Sequence, residues 1–167
     1  MALTLRKWQQ QAVNRSLLNL PGIFLEAAGG RGKTLCALEI ARVRNAQSIL
    51  IVNKKLSILD GWKEALKHYS FEDVTCITDK TLKNRLAKGV KFNVDVFIID
   101  EWQDMCSDAN LTAYKKVKRN YTIGLSATPI RRKGTNFFGL EQTVFEEANP
   151  SNKWQWQTYW GNMIPDQ

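Results

Sequence analysis

Eight consecutive residues, Ala27-Ala28-Gly29-Gly30-Arg31-Gly32-Lys33-Thr34, constrain this chain more than any other stretch. They follow a short apolar run, Gly22-Ile23-Phe24-Leu25-Glu26, preceded by Pro21. They lead into residues 34–43, where Leu35, Leu38 and Ala41, with Ala37 and Ile40, mark a helical face. A buried strand, a glycine-rich turn and a helix are therefore expected in that order. The octapeptide fits the phosphate-loop template G-x-x-x-x-G-K-[ST], with Ala27 in place of the first glycine. Glycines let the backbone turn tightly, so that successive N–H groups point at phosphate oxygens. The helix starting near Gly32 adds its positive end. Lys33 is expected to reach the β- and γ-phosphates of a nucleoside triphosphate, and the Thr34 hydroxyl to ligate Mg2+.

The rest of the chain alternates apolar strands with amphipathic helices. Ser48-Ile49-Leu50-Ile51-Val52 is a β-branched run, followed by residues 56–69 with Leu59, Trp62, Leu66 and Tyr69 at helical spacing. Val74-Thr75-Cys76-Ile77-Thr78 reads as a strand, residues 80–88 as a basic helix ended by Gly89, and residues 94–99 as another strand. Residues 109–119 are expected to be a helix and residues 121–125 the last clear strand. Strands separated by helices pair in parallel, and right-handed crossovers cover both faces. The expected fold is a three-layer α/β/α domain with a mostly parallel sheet.

A phosphate loop alone binds nucleotide; hydrolysis needs carboxylates at the C-terminal end of another parallel strand. Asp100-Glu101 stands immediately after the strand at 94–99. Asp100 is expected to hold Mg2+, directly or through water, and Glu101 to orient and deprotonate the attacking water.

Composition narrows the setting. The chain has 167 residues, enough for one domain with its own core, and 44% are hydrophobic. No apolar run approaches the roughly 18 residues that span a bilayer, and no signal-peptide pattern opens the chain. Cys36, Cys76 and Cys106 are scattered and form no C-x-x-C pair, which favours core packing in a reducing cytoplasm over a zinc site. The net charge of +8 suits a polyanionic partner. Basic residues gather at Lys54-Lys55, at Lys115, Lys116, Lys118 and Arg119, and at Arg131-Arg132-Lys133. The second of these groups would also serve as the solvated face of a helix. Trp154, Trp156, Tyr159 and Trp160 fall close together near the end and are expected to pack structurally, with base stacking as the alternative.

Taken in order, these motifs resemble the superfamily-two helicases and translocases, the DEAD/DEAH-like P-loop NTPases. Their phosphate loop reads A-x-x-G-x-G-K-T, matched by Ala27, Gly30, Gly32, Lys33 and Thr34. Their acidic motif is D-E-x-H or D-E-x-Q, matched by Asp100, Glu101 and Gln103, and their S-A-T motif by Ser126, Ala127 and Thr128. Leu5-Arg6-Lys7-Trp8-Gln9 is similar to the L-R-x-[YW]-Q segment whose glutamine reads adenine. The resemblance runs from about residue 5 to about residue 140. Ile49 to Leu56 followed by Trp62, and Leu125 to Ile130, are similar to the Swi/Snf-like and DNA-repair branch, phage-encoded members above all. That branch usually has proline where Asn53 stands.

The resemblance implies a RecA-like domain that binds ATP and Mg2+. Arg6, Gln9, Ala28, Gly29, Gly30, Arg31, Gly32, Lys33 and Thr34 would hold the nucleotide. Gln103 would touch the γ-phosphate region and couple it to Ser126 and Thr128. Asn53, Lys54 and Lys55 would contact nucleic-acid phosphates, with Thr78 a weaker candidate. DNA, single- or double-stranded, is expected before RNA. Helicases of this kind place ATP between two such domains, the second supplying an arginine finger. Residues 1–140 hold one domain's motifs and residues 141–167 form an aromatic-rich extension, so a second RecA-like domain in cis or in trans is expected. Other readings are a nucleotide-gated nucleic-acid-binding adaptor, an RNA helicase domain, a phosphate-loop kinase and a superfamily-one helicase. Ser126-Ala127-Thr128 and Gln9 favour superfamily two.

Overall fold

A computed structural model describes residues 4–18, 21–26, 32–105 and 107–126, apart from the Glu26 and Gln103 side chains. Five strands form one sheet: β1 (Gly22–Glu26), β2 (Ser48–Asn53), β3 (Asp73–Thr78), β4 (Asn93–Ile99) and β5 (Lys118–Ser126). Their spatial order is β1-β5-β4-β2-β3 and every pairing is parallel. The strands are nearly continuous apolar runs because both faces of the sheet are covered. Ile49, Leu50, Ile51 and Val52 of β2 and Val96, Phe97, Ile98 and Ile99 of β4 are all buried.

The helices are α1 (Lys7–Ser16), α2 (Gly32–Val43), α3 (Leu56–Leu66), α4 (Asp79–Ala87) and α5 (Asp108–Lys115). Connections β1-α2-β2 and β2-α3-β3 run one way across the sheet; β3-α4-β4 and β4-α5-β5 run back. Right-handed crossovers therefore put α2 and α3 on one face and α4 and α5 on the other. The packing agrees, since α2 touches α3, α4 touches α5, and α1 lies against α2. The three-layer α/β/α fold expected from the alternation is the one observed.

Two elements differ from expectation. The helix expected over 109–119 stops at Lys115, and β5 begins at Lys118. Pairing decides this, because Asn93 and Val94 of β4 stand beside Lys118 and Arg119. The Arg119 guanidinium donates to the Tyr114 and Val117 carbonyls, both at 2.8 Å, and so satisfies the end of α5. The basic cluster is thus split between a helix end and a strand rather than forming one helical face. Helix α1 was not legible, because KWQQQAVNRS carries few apolar residues. Packing makes it a helix: Ala12 and Val13 are buried against the core, and the Arg44 guanidinium reaches the Ser16 carbonyl while lying 3.7 Å over the Tyr121 ring.

Gly124 sets the spacing between β5 and β1. A Cβ there would stand 2.4 Å from Phe24 Cδ1. The bare backbone leaves room for Phe24, whose ring meets Trp102 edge-on at 6.0 Å between centroids.

Candidate nucleotide site at the carboxyl edge of the sheet

Parallel pairing brings all the strand ends to one edge. Glu26 lies in register with Ser126, Asn53 with Thr78, and Val52 with Ile99. The segments after β2, β3 and β4 therefore leave the sheet at this edge, and this is where α/β sheets bind ligands. Strand β5, carrying Ser126, lies between the strand that leads to the phosphate loop and the one that leads to Asp100. Ser126 is fully buried.

Helix α2 begins at Gly32, so Lys33 and Thr34 stand in its first turn. Lys33 is 6% exposed. Thr34, Leu35 and Asp100 share a cleft of about 590 Å³ with Ser57, Ile58, Gly61, Trp62, Glu64, Ala65 and His68. The two residues expected to hold Mg2+, far apart in sequence, thus line one cavity. A hydroxyl and a carboxylate are hard oxygen donors, and Mg2+ typically takes one or two such protein ligands and completes its shell with phosphate and water. The residues present fit that ion.

Asp100 is 6% exposed. Its backbone N–H donates to the Val52 carbonyl at 3.0 Å, extending the β2–β4 ladder by one residue. That register sets Asn53 beside it. Asn53 Nδ2 and Trp62 Nε1 both donate to Asp100 Oδ2, each at 2.8 Å. Burial pushes the carboxyl pKa up; the Trp62 hydrogen bond opposes it, the Glu101 charge adds to it, and the bonds from Asn53 and the Glu101 backbone oppose it. Burial is the largest of these.

Glu101 has φ +52° and ψ +49°, in the left-handed region that L-residues enter at a cost. The chain turns sharply there, from the straight β4 ladder into a 3-10 turn, Trp102–Asp104, which carries Gln103. Strained backbone of this kind collects at functional sites.

At the other side, Gln9 caps α1: its Oε1 accepts from the Arg6 backbone N–H at 2.7 Å. Its Nε2 donates to the Gly32 carbonyl at 2.8 Å. A Cβ on Gly32 would lie 3.2 Å from Trp8 Cζ2 and 3.8 Å from Arg6 Nη1. Arg6, Trp8 and Gln9 thus gather at the start of α2, and Gln9 is itself buried.

Lys54 and Lys55 are exposed just past β2, and Thr78 is in register with Asn53. The Thr78 hydroxyl caps α4, accepting from the Thr81 N–H at 3.2 Å. Asn53 differs from its expected role. It is fully buried, with Nδ2 on Asp100 and Oδ1 accepting from the Lys55 N–H at 3.1 Å, so it does not face a nucleic acid. Sequence reasoning named Asn53 for another role and Trp62 only on a helical face; it missed their bonds to Asp100. The one signal was the departure from proline at position 53. Ala27, Ala28, Gly29, Gly30, Arg31, Thr128, Arg131, Arg132, Lys133 and the aromatic group at 154–160 lie outside the described residues.

The all-parallel sheet and the family match define a RecA-like domain of the superfamily-two helicase type. The chain belongs to the family described as "Type III restriction enzyme, res subunit", whose model matches residues 2–93. A search of curated protein sequences finds no match. Among solved structures, the chain is similar to the Sulfolobus solfataricus SWI2/SNF2 ATPase core in complex with dsDNA, at 21% identity and TM-score 0.73 over 99% of this chain and 44% of that one. The Sulfolobus solfataricus SWI2/SNF2 ATPase core domain matches at 24% identity and TM-score 0.69, over 95% of this chain and 38% of that one. The Pyrococcus furiosus Hef helicase domain matches at 17% and 0.66, over 83% and 36%. The chain therefore spans less than half the length of each. Among the described residues, no helix is long and apolar enough to cross a membrane.

Proposed function

We propose that this chain is the ATP-binding and hydrolysing half of a DNA translocase or helicase motor. The observation that carries the reading is the single cleft shared by Thr34, at the start of α2, and Asp100, at the end of β4. Beside it, Lys33 would reach the β- and γ-phosphates, with the phosphate-loop amides toward Thr34 and with Arg6 and Gln9 on the adenine side. Thr34 and Asp100 hold Mg2+, which when bound neutralises charge developing on the phosphate oxygens. Glu101 orients a water for in-line attack on the γ-phosphorus and takes its proton, as the bond to the ADP oxygen breaks. Gln103, Ser126 and Thr128 relay nucleotide state across the sheet edge. Lys54, Lys55 and Thr78 meet nucleic-acid phosphates, contacts that position the partner without reading sequence.

DNA is the favoured partner because one similar structure is described in complex with dsDNA and this chain carries a net charge of +8. Residues 1–140 would form this half, and residues 141–167 would be an extension toward the second domain. A second RecA-like domain would supply the arginine that completes the site, worth several orders of magnitude in rate.

The test is ATP hydrolysis by the chain alone and with its second domain, in the presence of single-stranded DNA, duplex DNA or RNA. The chain alone binds nucleotide weakly and turns over slowly; the pair is stimulated by DNA. Lys33→Ala and Glu101→Gln abolish the stimulated rate. Undiminished turnover in both variants would refute the site, and stimulation by RNA alone would refute the choice of DNA.

A further inference from the structure

We propose that Asn53 and Trp62 are positioning residues for Asp100, holding its carboxylate in the orientation that serves the Mg2+ of a bound nucleotide. This rests on the reading of Asp100 as a residue of the ATP site. Two N–H donors from different elements, the end of β2 and the middle of α3, converge on the same oxygen, Oδ2, at 2.8 Å each. Neither can easily turn away. The Trp62 ring is 1% exposed, and an indole nitrogen can only donate. The Asn53 amide is fixed from its other end, because its Oδ1 accepts from the Lys55 N–H. Flipping it would set an oxygen against the carboxylate and an NH2 against an N–H.

Two fixed donors on one oxygen restrict rotation of the carboxylate about its own axis. They also offset the cost of burying it. A metal-ligating carboxylate depends on such outer partners, and losing one typically lowers metal affinity 10- to 100-fold. Proline at position 53 could make neither of the bonds that Asn53 makes. The arrangement is therefore particular to a chain with asparagine there. The same amide ties the carboxylate to the turn that carries Lys54 and Lys55.

The experiment uses this chain and a fluorescent ATP analogue, with affinity measured in EDTA and across a Mg2+ titration. Trp62→Phe keeps a smaller aromatic ring and removes the donor; Asn53→Ala removes the other; Asp100→Asn is the reference. Both positioning variants should raise the Mg2+ concentration at half effect about tenfold, with a smaller change in the Mg2+-free affinity. General loss of packing would weaken both affinities alike and would overturn the proposal. Trp62→Phe decides the matter should Asn53→Ala fail to fold. An unshifted Mg2+ midpoint, with Asp100→Asn insensitive to Mg2+, overturns the positioning role and leaves the ATP site standing. A normal Mg2+ response in Asp100→Asn overturns the site reading, and the proposal with it.

Discussion

The Gln9 side chain donates from Nε2 to the Gly32 carbonyl at 2.8 Å, joining the start of α1 to the first turn of α2 across 23 residues. Its other end holds the Arg6 N–H, so one amide both caps a helix and fixes the end of the phosphate loop. A base bound beside Arg6 and Gln9 would be sensed through the same amide. Gln9→Ala is expected to lower the ratio of ATP to GTP affinity, by about tenfold if Gln9 hydrogen-bonds the base. Competition between the two nucleotides measures it, and an unchanged ratio would remove Gln9 from the base pocket.

Gly124 is required by Phe24 rather than by its own conformation. Gly124→Ala would push a methyl carbon to 2.4 Å from the Phe24 ring edge, and that ring is buried against Trp102. The strands must separate or the ring must leave its place. A loss of about 2–3 kcal/mol is expected in denaturant unfolding, with Phe24→Leu,Gly124→Ala recovering part of it.

Glu101 separates stability from chemistry. Its left-handed backbone costs an L-residue about 1 kcal/mol, which glycine avoids. Glu101→Gly should therefore unfold at higher denaturant than Glu101→Ala, while both lack turnover. Equal midpoints for the two would mean that the turn relaxes when the carboxylate is removed.

Asp95 gives a pH-dependent link far from the site. Hydrogen bonds from the Gln47 and Ser48 backbone N–H groups, at 2.8 and 3.2 Å, hold its carboxyl below the usual carboxylate range. A lowered folded-state pKa contributes stability above the unfolded value of about 3.9, and this is lost as pH falls through the folded value. Asp95→Asn should thus lower stability at pH 7, and the gap should narrow as the pH falls below about 4. Thermal melts at the two pH values test this; a gap that widens in acid would contradict it.

The burial of Cys36 makes a control. Burial above all, with the Glu39 charge, pushes its thiol up to about 12, so it stays protonated at neutral pH. Alkylation of the native chain should spare Cys36 and begin only on unfolding, read by mass spectrometry.

Local pattern was enough for most of the elements. Apolar runs of strand length, separated by helical spacing, identified all five strands and four of the helices. The octapeptide at 27–34, and the Asp100-Glu101 pair at a strand end, marked the candidate site because such chemistry demands particular residues at particular spacing. These are short-range properties, and a sequence displays them directly. Tertiary structure decided what depends on neighbours distant in the chain. Helix α1 exists because α2 gives it a surface, and α5 yields to β5 at Lys118 because β4 offers a ladder there. Asn53 faces Asp100 rather than solvent because the β2–β4 register sets Val52 beside Ile99. Register between strands nearly fifty residues apart is a property of the packed sheet, and no local periodicity encodes it.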